Sequence, residues 1–219
     1  MVTVAGEALL TQLSPESRAV LRSLGKRHDY EDGALIHSRG DTDHGMKIVI
    51  KGAVRLCLTK PDGGHTFISN ILPGQHFGDV VMFRGGVRTH DAYAIGRTVI
   101  DHYDKAAFDK LLAHPELVSA LYRITALRLD GAMAMNDDLR GLAREVHLAK
   151  VLLSQWRSNG RKTEIACLQE DLAGMLGISN MTLSKCLGKL RDLGFVETRY
   201  RAILLRDPVA MRAWLQSHS

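Results

Sequence analysis

Apolar positions near the C-terminus recur with a helical period on both sides of a short break. Leu172 and Leu176 are one helical turn apart, and small Ala173 leaves room for a second helix. Gly177 favours a left-handed helix end, and Ser179 is a good N-cap for a new helix. The pattern therefore predicts two helices joined by a tight turn.

The second of these helices is predicted to be amphipathic. Its buried stripe comprises Leu183, Cys186 or Leu187, Leu190 and Leu193. The other side is mostly polar and carries Ser179, Asn180, Met181, Thr182, Ser184, Lys185 and Lys189. We expect this side to lie in the major groove of DNA, as the second helix of a helix-turn-helix does. The alternative is an αα-hairpin that uses the same positions only for packing.

Residues 195–205 favour the DNA-binding interpretation. Two apolar runs flank a basic and aromatic tip, which predicts a β-hairpin directly after the second helix. Such a hairpin is a wing, and Arg199 and Arg201 are suited to contact phosphates.

The N-terminal half has a different pattern. A short helix is predicted between Ser14 and Gly25, and short β-like runs punctuated by glycine extend from about His28 to Tyr103. Among these runs are 47–51, 53–58 and 66–69, and the turn-forming residues 61–64 precede the last. Repeated short strands of this kind predict a small antiparallel sandwich or barrel.

After His114 and Pro115 the pattern becomes helical for about forty residues. Steps of four and three give a heptad-like seam: Leu121, Thr125, Arg128, Ala132, Met135, Leu139, Leu142, Val146, Ala149 and Leu153. Thr125 and Arg128 are its polar exceptions. We predict a dimerising helix whose contacts include Leu121, Ala132, Met135, Leu139, Leu142 and Val146. The alternative is a long helix packed on its own β-domain.

Composition and charge indicate which kind of binding partner and which cellular compartment to expect. The net charge of +5 favours an anionic partner. The three cysteines have no Cys-x-x-Cys spacing, so we expect neither disulfides nor a metal site. No signal peptide and no long apolar window is present, so we expect a cytoplasmic protein without a membrane partner.

Three motifs carry a resemblance over nearly the whole chain. They are a β-roll signature over residues 40–56, a cassette over 73–79 followed by Arg88 and Thr89, and a wing ending over 193–197 with 206–208. The chain resembles the Crp/Fnr family of bacterial transcription regulators. The resemblance implies homodimers that bind palindromic operators, act with RNA polymerase and respond to an effector in the β-roll.

The resemblance also implies a fold. It is an α+β chain with an N-terminal antiparallel, jelly-roll-like β-roll over residues 1–115. A long dimerisation helix over 116–156 and a C-terminal winged helix-turn-helix over 157–219 complete it.

The cassette is the expected effector site. Backbone N–H groups around Gly78, the Arg88 guanidinium and the Thr89 hydroxyl can bind a phosphodiester. Asp79 can accept a hydrogen bond from a ribose hydroxyl. The effector implied is a phosphate-bearing molecule such as a cyclic nucleotide, with cyclic AMP as one candidate. The alternative for Arg88 and Thr89 is an ordinary turn.

Two departures from the family pattern affect this expectation. Cyclic-AMP members usually carry Glu where this chain has Asp79, and the stretch from there to Arg88 is one residue shorter. Where those members place a Thr-Ser pair against adenine, this chain has Ala132 and Met133, whose side chains cannot hydrogen-bond. We therefore expect no adenine recognition of the usual kind.

No other cofactor is predicted. The first cysteine is Cys57, so the N-terminal cluster of the iron–sulfur members is absent. His76, His90 and Cys57 could ligate haem, but lone histidines are more often structural. Cys186 could sense oxidation, but its spacing favours a buried and inert thiol.

The predicted recognition helix differs from the family's usual residue pattern. Asn180, Met181 and Lys185 replace the usual Arg-Glu-x-x-x-Arg arrangement of the family. Asn pairs with adenine, Lys pairs with guanine and Met offers apolar contact. We expect an operator that differs from the common TGTGA half-site.

Two other functions compete with an effector-gated, homodimeric DNA-binding regulator. One is a ligand-independent DNA binder with a vestigial cassette. The other is a cupin-like metalloenzyme, but His65, His76 and His90 are too dispersed to supply its metal site. We therefore predict that the chain is not an enzyme.

Overall fold

The computed structural model describes residues 7–218 apart from Asp43, 60–64, Leu142 and Asn159. The side chains of residues 65, 135, 137–141 and 158 also lie outside this description. The chain forms two compact units, and the division falls between Leu129 and Asp130.

The first unit contains a 3₁₀ turn, six strands and three complete helices among the described residues. In chain order they are Leu9–Gln12 (3₁₀), α1 Pro15–Leu24, β1 Lys26–Tyr30, β2 Leu35–His37, β3 Met46–Thr59, β4 His65–Ile71, β5 His76–Phe77, α2 Asp79–Arg84, β6 Asp91–Tyr103 and α3 Lys105–Leu112. Helix α4, Pro115–Gly141, spans the division between the units. The remaining elements are α5 Arg144–Ser158, β7 Glu164–Ala166, α6 Gln169–Leu176, α7 Asn180–Asp192, β8 Val196–Arg199, β9 Ala202–Leu205 and α8 Pro208–Gln216.

The opening helix α1 is confirmed, and its start has two caps. The Ser14 hydroxyl accepts a hydrogen bond from the Ser17 backbone N–H at 3.2 Å, and Pro15 occupies the first turn. The Glu116 carboxylate of α4 accepts from the Ser14 backbone N–H at 2.7 Å. A negative group at this end also complements the helix dipole, so the start of α4 is attached to the start of α1.

The β-domain is one antiparallel sheet in the order β1-β6-β3-β4, with β2 on β6 and β5 on β3. Two runs predicted as separate strands, 47–51 and 53–58, are both part of β3. They are joined through Gly52, which has φ +77° beside a shift in the β3–β6 register. The predicted turn over 61–64 lies outside the described residues, but β3 and β4 on either side of it pair antiparallel.

Helix α3 was not predicted from the sequence, although its start has a recognisable cap. The Asp104 carboxylate accepts from the Ala107 backbone N–H at 3.0 Å. The helix buries Phe108 and Leu111 in one hydrophobic cluster with sheet residues. The sheet contributes Met46, Ile48 and Tyr103 to this cluster, and α4 contributes Leu117, Ala120, Leu121 and Ile124.

This packing corrects the predicted dimer seam. Leu121 is only 1 % exposed because it lies in the core of its own unit, so a partner cannot reach it. Val146 of α5 is likewise buried within the second unit. Ala132 is exposed. Leu142 and the side chains of Met135 and Leu139 lie outside the described residues.

The long helix predicted over 116–156 is not continuous, because α4 ends at Gly141 and α5 begins at Arg144. The Ala143 carbonyl accepts from the Val146 and His147 N–H groups at 3.0 Å and so opens a new helix. Tertiary packing has a larger effect on helix stability than local propensity does. Because α5 packs against α7 and α8 of the second unit, it is stabilised there as a separate helix.

The second unit combines helices with a small sheet in the order β7-β9-β8. Glu164 and Glu197 both pair with Leu204 of the central strand β9. Helix α8 was not predicted, although Asp207 and Pro208 signal its start: the Asp207 carboxylate accepts from the Ala210 N–H at 2.8 Å.

Gly52 occupies a position in β3 where a side chain does not fit. A Cβ there would lie 2.5 Å from the Thr98 hydroxyl oxygen and 2.6 Å from the Arg97 carbonyl oxygen. We predict that Gly52→Ala lowers the free energy of unfolding by more than about 2 kcal/mol, from overpacking and positive φ together.

Urea unfolding measures the free energy of unfolding of this variant. The matched control is Gly96→Ala in the same unit. Gly96 also has a positive φ of 63°, but its Cβ would meet nothing within 4 Å. Gly96→Ala should lower the free energy of unfolding by about 1 kcal/mol. Equal losses for the two variants would show that steric contact at Gly52 is unimportant.

Candidate functional site

The turn between α6 and α7 has the geometry that the sequence predicted. Gly177 is left-handed, with φ 62°, and the Ile178 N–H donates to the Ala173 carbonyl at 3.1 Å. The Ser179 hydroxyl accepts from the Thr182 N–H at 3.2 Å and caps α7. Gly177 and Ser179 therefore end and begin the two helices as predicted.

Helix α7 has one buried and one exposed side. Leu183, Cys186, Leu187 and Leu190 are buried. Leu193, which was predicted to continue this stripe, is instead 48 % exposed because the helix ends at Asp192. The exposed side carries Ser179, Asn180, Met181, Ser184, Lys185 and Lys189, with Thr182 half-buried among them.

Lys189, on the exposed side of α7, has a charged partner on another helix. Its Nζ lies 2.6 Å from Glu145 Oε1 of α5. This hydrogen bond raises the pKa of Lys189 and lowers the pKa of Glu145. The positive charge of Lys189 is thus partly neutralised, whereas Asn180, Met181 and Lys185 present their side chains to solvent.

The predicted wing is present as β8 and β9 with a two-residue turn, Tyr200 and Arg201. Arg201 is exposed and has φ 53°, a conformation that costs a residue with a Cβ about 1 kcal/mol. Such strain is more common at functional positions than elsewhere.

The second wing arginine has a different environment. Arg199 Nε donates to Glu197 Oε1 at 3.0 Å, and Nη1 donates to Glu164 Oε2 at 3.3 Å. Glu197 also pairs with Arg206. Arg199 therefore joins β8 to β7, and its charge is compensated on the sheet, whereas Arg201 lies exposed at the tip.

Two parts of the predicted cassette are in close contact. Gly78 is left-handed, with φ 82°, directly before α2. A Cβ at Gly78 would lie 2.5 Å from Arg88 Nη1 and 2.7 Å from the Gly45 carbonyl oxygen. The buried Arg88 donates through Nη2 to the same carbonyl at 2.8 Å. Only glycine fits between the guanidinium and the backbone here.

Asp79 is 2 % exposed and has two internal partners. Its Oδ2 lies 3.2 Å from His76 Nε2, and its Oδ1 lies 3.4 Å from Arg128 Nη1 of α4. Burial favours the neutral carboxyl, but the adjacent His76 ring and the charge of Arg128 outweigh it, so the pKa of Asp79 falls to about 2.

Thr89 does not join this group. It is exposed, and its hydroxyl lies 2.9 Å from His90 Nδ1. Sequence reasoning also missed His76 and Arg128 as partners of Asp79. A signal for Arg128 existed, since it was the charged member of a mostly apolar helix seam, and a charge at such a position requires a partner.

The cysteines, the possible metal ligands and the helix lengths bear on other functions. The described thiols of Cys57, Cys167 and Cys186 are buried and form no disulfide, and burial raises the pKa of Cys186. Across the described residues, no three His, Cys, Asp or Glu side chains are placed to hold a metal ion. None of the described helices is long and apolar enough to cross a membrane.

Comparison with known families matches both halves of the chain. Residues 27–114 match a cyclic nucleotide-binding domain, and residues 146–214 match a Crp-like helix-turn-helix domain.

Individual proteins are similar over almost their full length. A CRP-like cAMP-activated global transcriptional regulator of Mycobacterium tuberculosis is 25 % identical over 93 % of this chain and 94 % of its own. A cyclic AMP receptor protein of Thermus thermophilus is 28 % identical over 92 % and 94 %. The solved structure of FixK2 from Bradyrhizobium japonicum has a TM-score of 0.71 at 22 % identity, over 86 % of this chain and 96 % of that one, and so shows the same fold.

The lowered pKa of Asp79 predicts a specific loss of stability in acid. The unfolded carboxyl binds a proton at a higher pH than the folded one does. The charged form therefore contributes about 2 kcal/mol above pH 4, and this contribution disappears as the pH falls from about 4 to about 2.

Urea unfolding of the wild type and Asp79→Asn between pH 2 and pH 7 measures this contribution. The variant should be less stable at neutral pH and should lose less stability in acid. Asp29→Asn, on the exposed strand β1, is the control. Parallel pH curves for wild type and Asp79→Asn would contradict the assignment.

The two wing arginines should affect DNA binding differently. We predict that Arg201→Ala weakens binding and lowers the slope of log Kd against log salt by about 1, because one phosphate contact is lost. Arg199→Ala should change this slope less, because Glu164 and Glu197 already compensate the charge of Arg199. The measurement is fluorescence anisotropy on one DNA duplex at several salt concentrations. Identical salt slopes for the two variants would show that the Glu164 and Glu197 contacts do not distinguish them.

Proposed function

Because the chain belongs to the Crp/Fnr family of DNA-binding transcription regulators, we propose that it acts as a homodimer on a palindromic operator under the control of an effector. The effector is a phosphate-bearing molecule held in the β-roll. We also propose RNA polymerase as its partner at promoters, because a protein to which the chain is similar is a transcriptional regulator. The observation that carries the DNA-binding part is the exposed polar side of α7 followed by the wing.

Helix α7 reads the operator through its N-terminal half. Asn180 and Lys185 offer hydrogen bonds to adenine and guanine, and Met181 offers an apolar surface to a thymine methyl group. Ser179 caps the helix, so its N-terminus is positioned to approach a phosphate. Asn180, Met181 and Lys185 together specify an operator other than the TGTGA half-site.

The dimer contact is proposed on the side of α4 that faces away from its own core. Tyr122, Ala126 and Leu129 follow one another at steps of four and three. Tyr122 is 77 % exposed and Leu129 is 62 % exposed. A row of exposed apolar side chains at heptad spacing is suited to a second copy of the same helix. A homodimer also supplies the two recognition helices that a palindromic operator requires, about 34 Å apart.

This proposal shifts the seam by one residue relative to the heptad read from the sequence. The predicted seam began at Leu121, whose side chain packs inside its own unit. Successive residues of a helix point about 100° apart, so Tyr122 points away from the direction of Leu121, and Leu129 points away from that of Arg128. The shift therefore moves the contact from the core side of α4 to its exposed side.

We predict that Leu129→Glu disrupts the dimer, because two carboxylates would face each other across the helix pair. Sedimentation analysis should show a shift from dimer to monomer, and DNA affinity should fall at least about tenfold. Ala134→Glu, on an exposed position away from the row, is the control. A dimeric Leu129→Glu variant would place the interface elsewhere.

The cassette fits a phosphodiester in part. The buried Arg88 guanidinium supplies a cation, and the Asp79 carboxylate supplies a hydrogen-bond acceptor. The Thr89 hydroxyl would have to turn away from His90 to reach the same ligand. At the two helix positions that the resemblance assigns to base recognition, Ala132 and Met133 have side chains that cannot hydrogen-bond. These features favour a ligand recognised by its sugar and phosphate rather than by its base.

A ligand-independent regulator is the second candidate, and the internal partners of Asp79 favour it. Selection of a binding site from random DNA, followed by affinity measurements with and without cyclic AMP and cyclic GMP, separates the two. A tighter complex with either nucleotide supports gating, and equal affinity supports the second candidate. Recovery of TGTGA half-sites would contradict the proposed reading by α7, and absence of all DNA binding would contradict the function itself.

A further inference from the structure

Tyr200 places an aromatic ring in solvent at the tip of the wing. It occupies the two-residue turn beside Arg201 and is 91 % exposed. The buried side of the hairpin is formed by Val196, Ile203 and Leu205, so the fold of the hairpin does not use the Tyr200 ring. Tyrosine combines an apolar ring with a polar hydroxyl and is common where proteins contact a partner.

Backbone hydrogen bonds on both sides fix this turn within the second unit. The Arg201 carbonyl accepts from the Cys167 N–H at 3.0 Å, just before α6. The Phe195 N–H donates to the Leu190 carbonyl at 2.9 Å and joins the start of the hairpin to α7. The wing tip therefore has a defined position relative to α7. A tip that is already ordered loses little freedom when it binds a partner.

The chemistry of the tip fits the minor groove of DNA. A segment beside a helix that lies in the major groove can reach the adjacent minor groove, as arms of other DNA-binding folds do. This groove is about 6 Å wide in B-DNA, and apolar side chains of proteins enter it. The phosphates at its edges attract the charge of Arg201, which directly follows Tyr200.

We propose that the Tyr200 ring packs in the minor groove beside the bases read by α7, and so adds a contact with DNA that does not depend on salt. This inference rests on the proposed DNA-binding function and gives Tyr200 a role distinct from that of Arg201. A neutral ring displaces no counterion from the phosphates when it binds, whereas a cation does. Loss of the ring therefore weakens binding by the same factor at every salt concentration.

Fluorescence anisotropy tests this contact on a duplex that the wild type selects from random DNA. We expect Tyr200→Ala to weaken binding at least about tenfold with an unchanged salt slope, and Tyr200→Phe to remain within about twofold of the wild type. Val209→Ala, which truncates an exposed apolar side chain of α8 in the same unit, is the matched control and should bind as the wild type does.

Three results of this titration would overturn the proposal. Unchanged affinity in Tyr200→Ala would mean that the ring contacts no DNA. Equal losses in Tyr200→Ala and Tyr200→Phe would place the contact at the hydroxyl rather than the ring. A lower salt slope in Tyr200→Ala would show that the substitution acts through the phosphate contacts.

Hydroxyl-radical cleavage of the same duplex locates the contact, because the radical attacks deoxyribose from the minor groove. At saturating protein, the wild type and Tyr200→Phe should protect minor-groove sugars beside each half-site, and Tyr200→Ala should lose this protection. Identical patterns for the three proteins overturn the proposal.

Two further measurements separate this inference from its alternatives. Sedimentation of Tyr200→Ala should match that of the wild type, and a changed oligomeric state would place the ring at a contact between protein chains and overturn the proposal. If the wild type selects no duplex, the proposed function fails and this inference fails with it. Normal DNA binding that Tyr200→Ala leaves unaffected removes only this inference.

Discussion

The long antiparallel pairing of β3 with β6 is the interaction on which the first unit depends. It extends from Met46 and Tyr103 to Cys57 and Asp91, and every other described strand of the sheet pairs with one of these two. Strand β5 pairs with the start of β3, so the pairing also determines where the cassette begins. The chain leaves the cassette into β6, and both of its ends are therefore attached to the same two strands.

Helix α4 shows how one element can serve several neighbours. Leu117, Leu121 and Ile124 face the core, and Arg128 continues close to that side, where it meets Asp79. Tyr122 and Leu129 lie on the side left exposed. Because the helical period separates these sides, a contact with the cassette and a contact with a second copy can be made by the same helix without competing for the same residues.

Charge compensation distinguishes residues that look equivalent in the sequence. Arg199 and Arg201 are two positions apart on the wing, yet Arg199 lies between Glu164 and Glu197, whereas Arg201 occupies the turn. Lys185 and Lys189 are one turn apart on α7, and of the two it is Lys189 that pairs with Glu145. An acidic partner from a distant part of the chain compensates the charge of one cation and makes it less suited to bind a phosphate. The local sequence around the cation does not show that partner.

The sequence by itself determined the elements whose signals are local. Ser14, Gly177 and Ser179 mark helix ends through their own backbone and side-chain chemistry, so these boundaries were predicted and the structure confirms them. The family motifs likewise predicted the helix-turn-helix, which the match to a Crp-like helix-turn-helix domain supports. Only the tertiary structure decided that Leu121 and Val146 are buried, that the long helix is interrupted before Arg144, and that Arg128 holds Asp79. The physical reason is that burial and ion pairing depend on which segments meet in space, whereas capping and periodicity depend on neighbours in the chain.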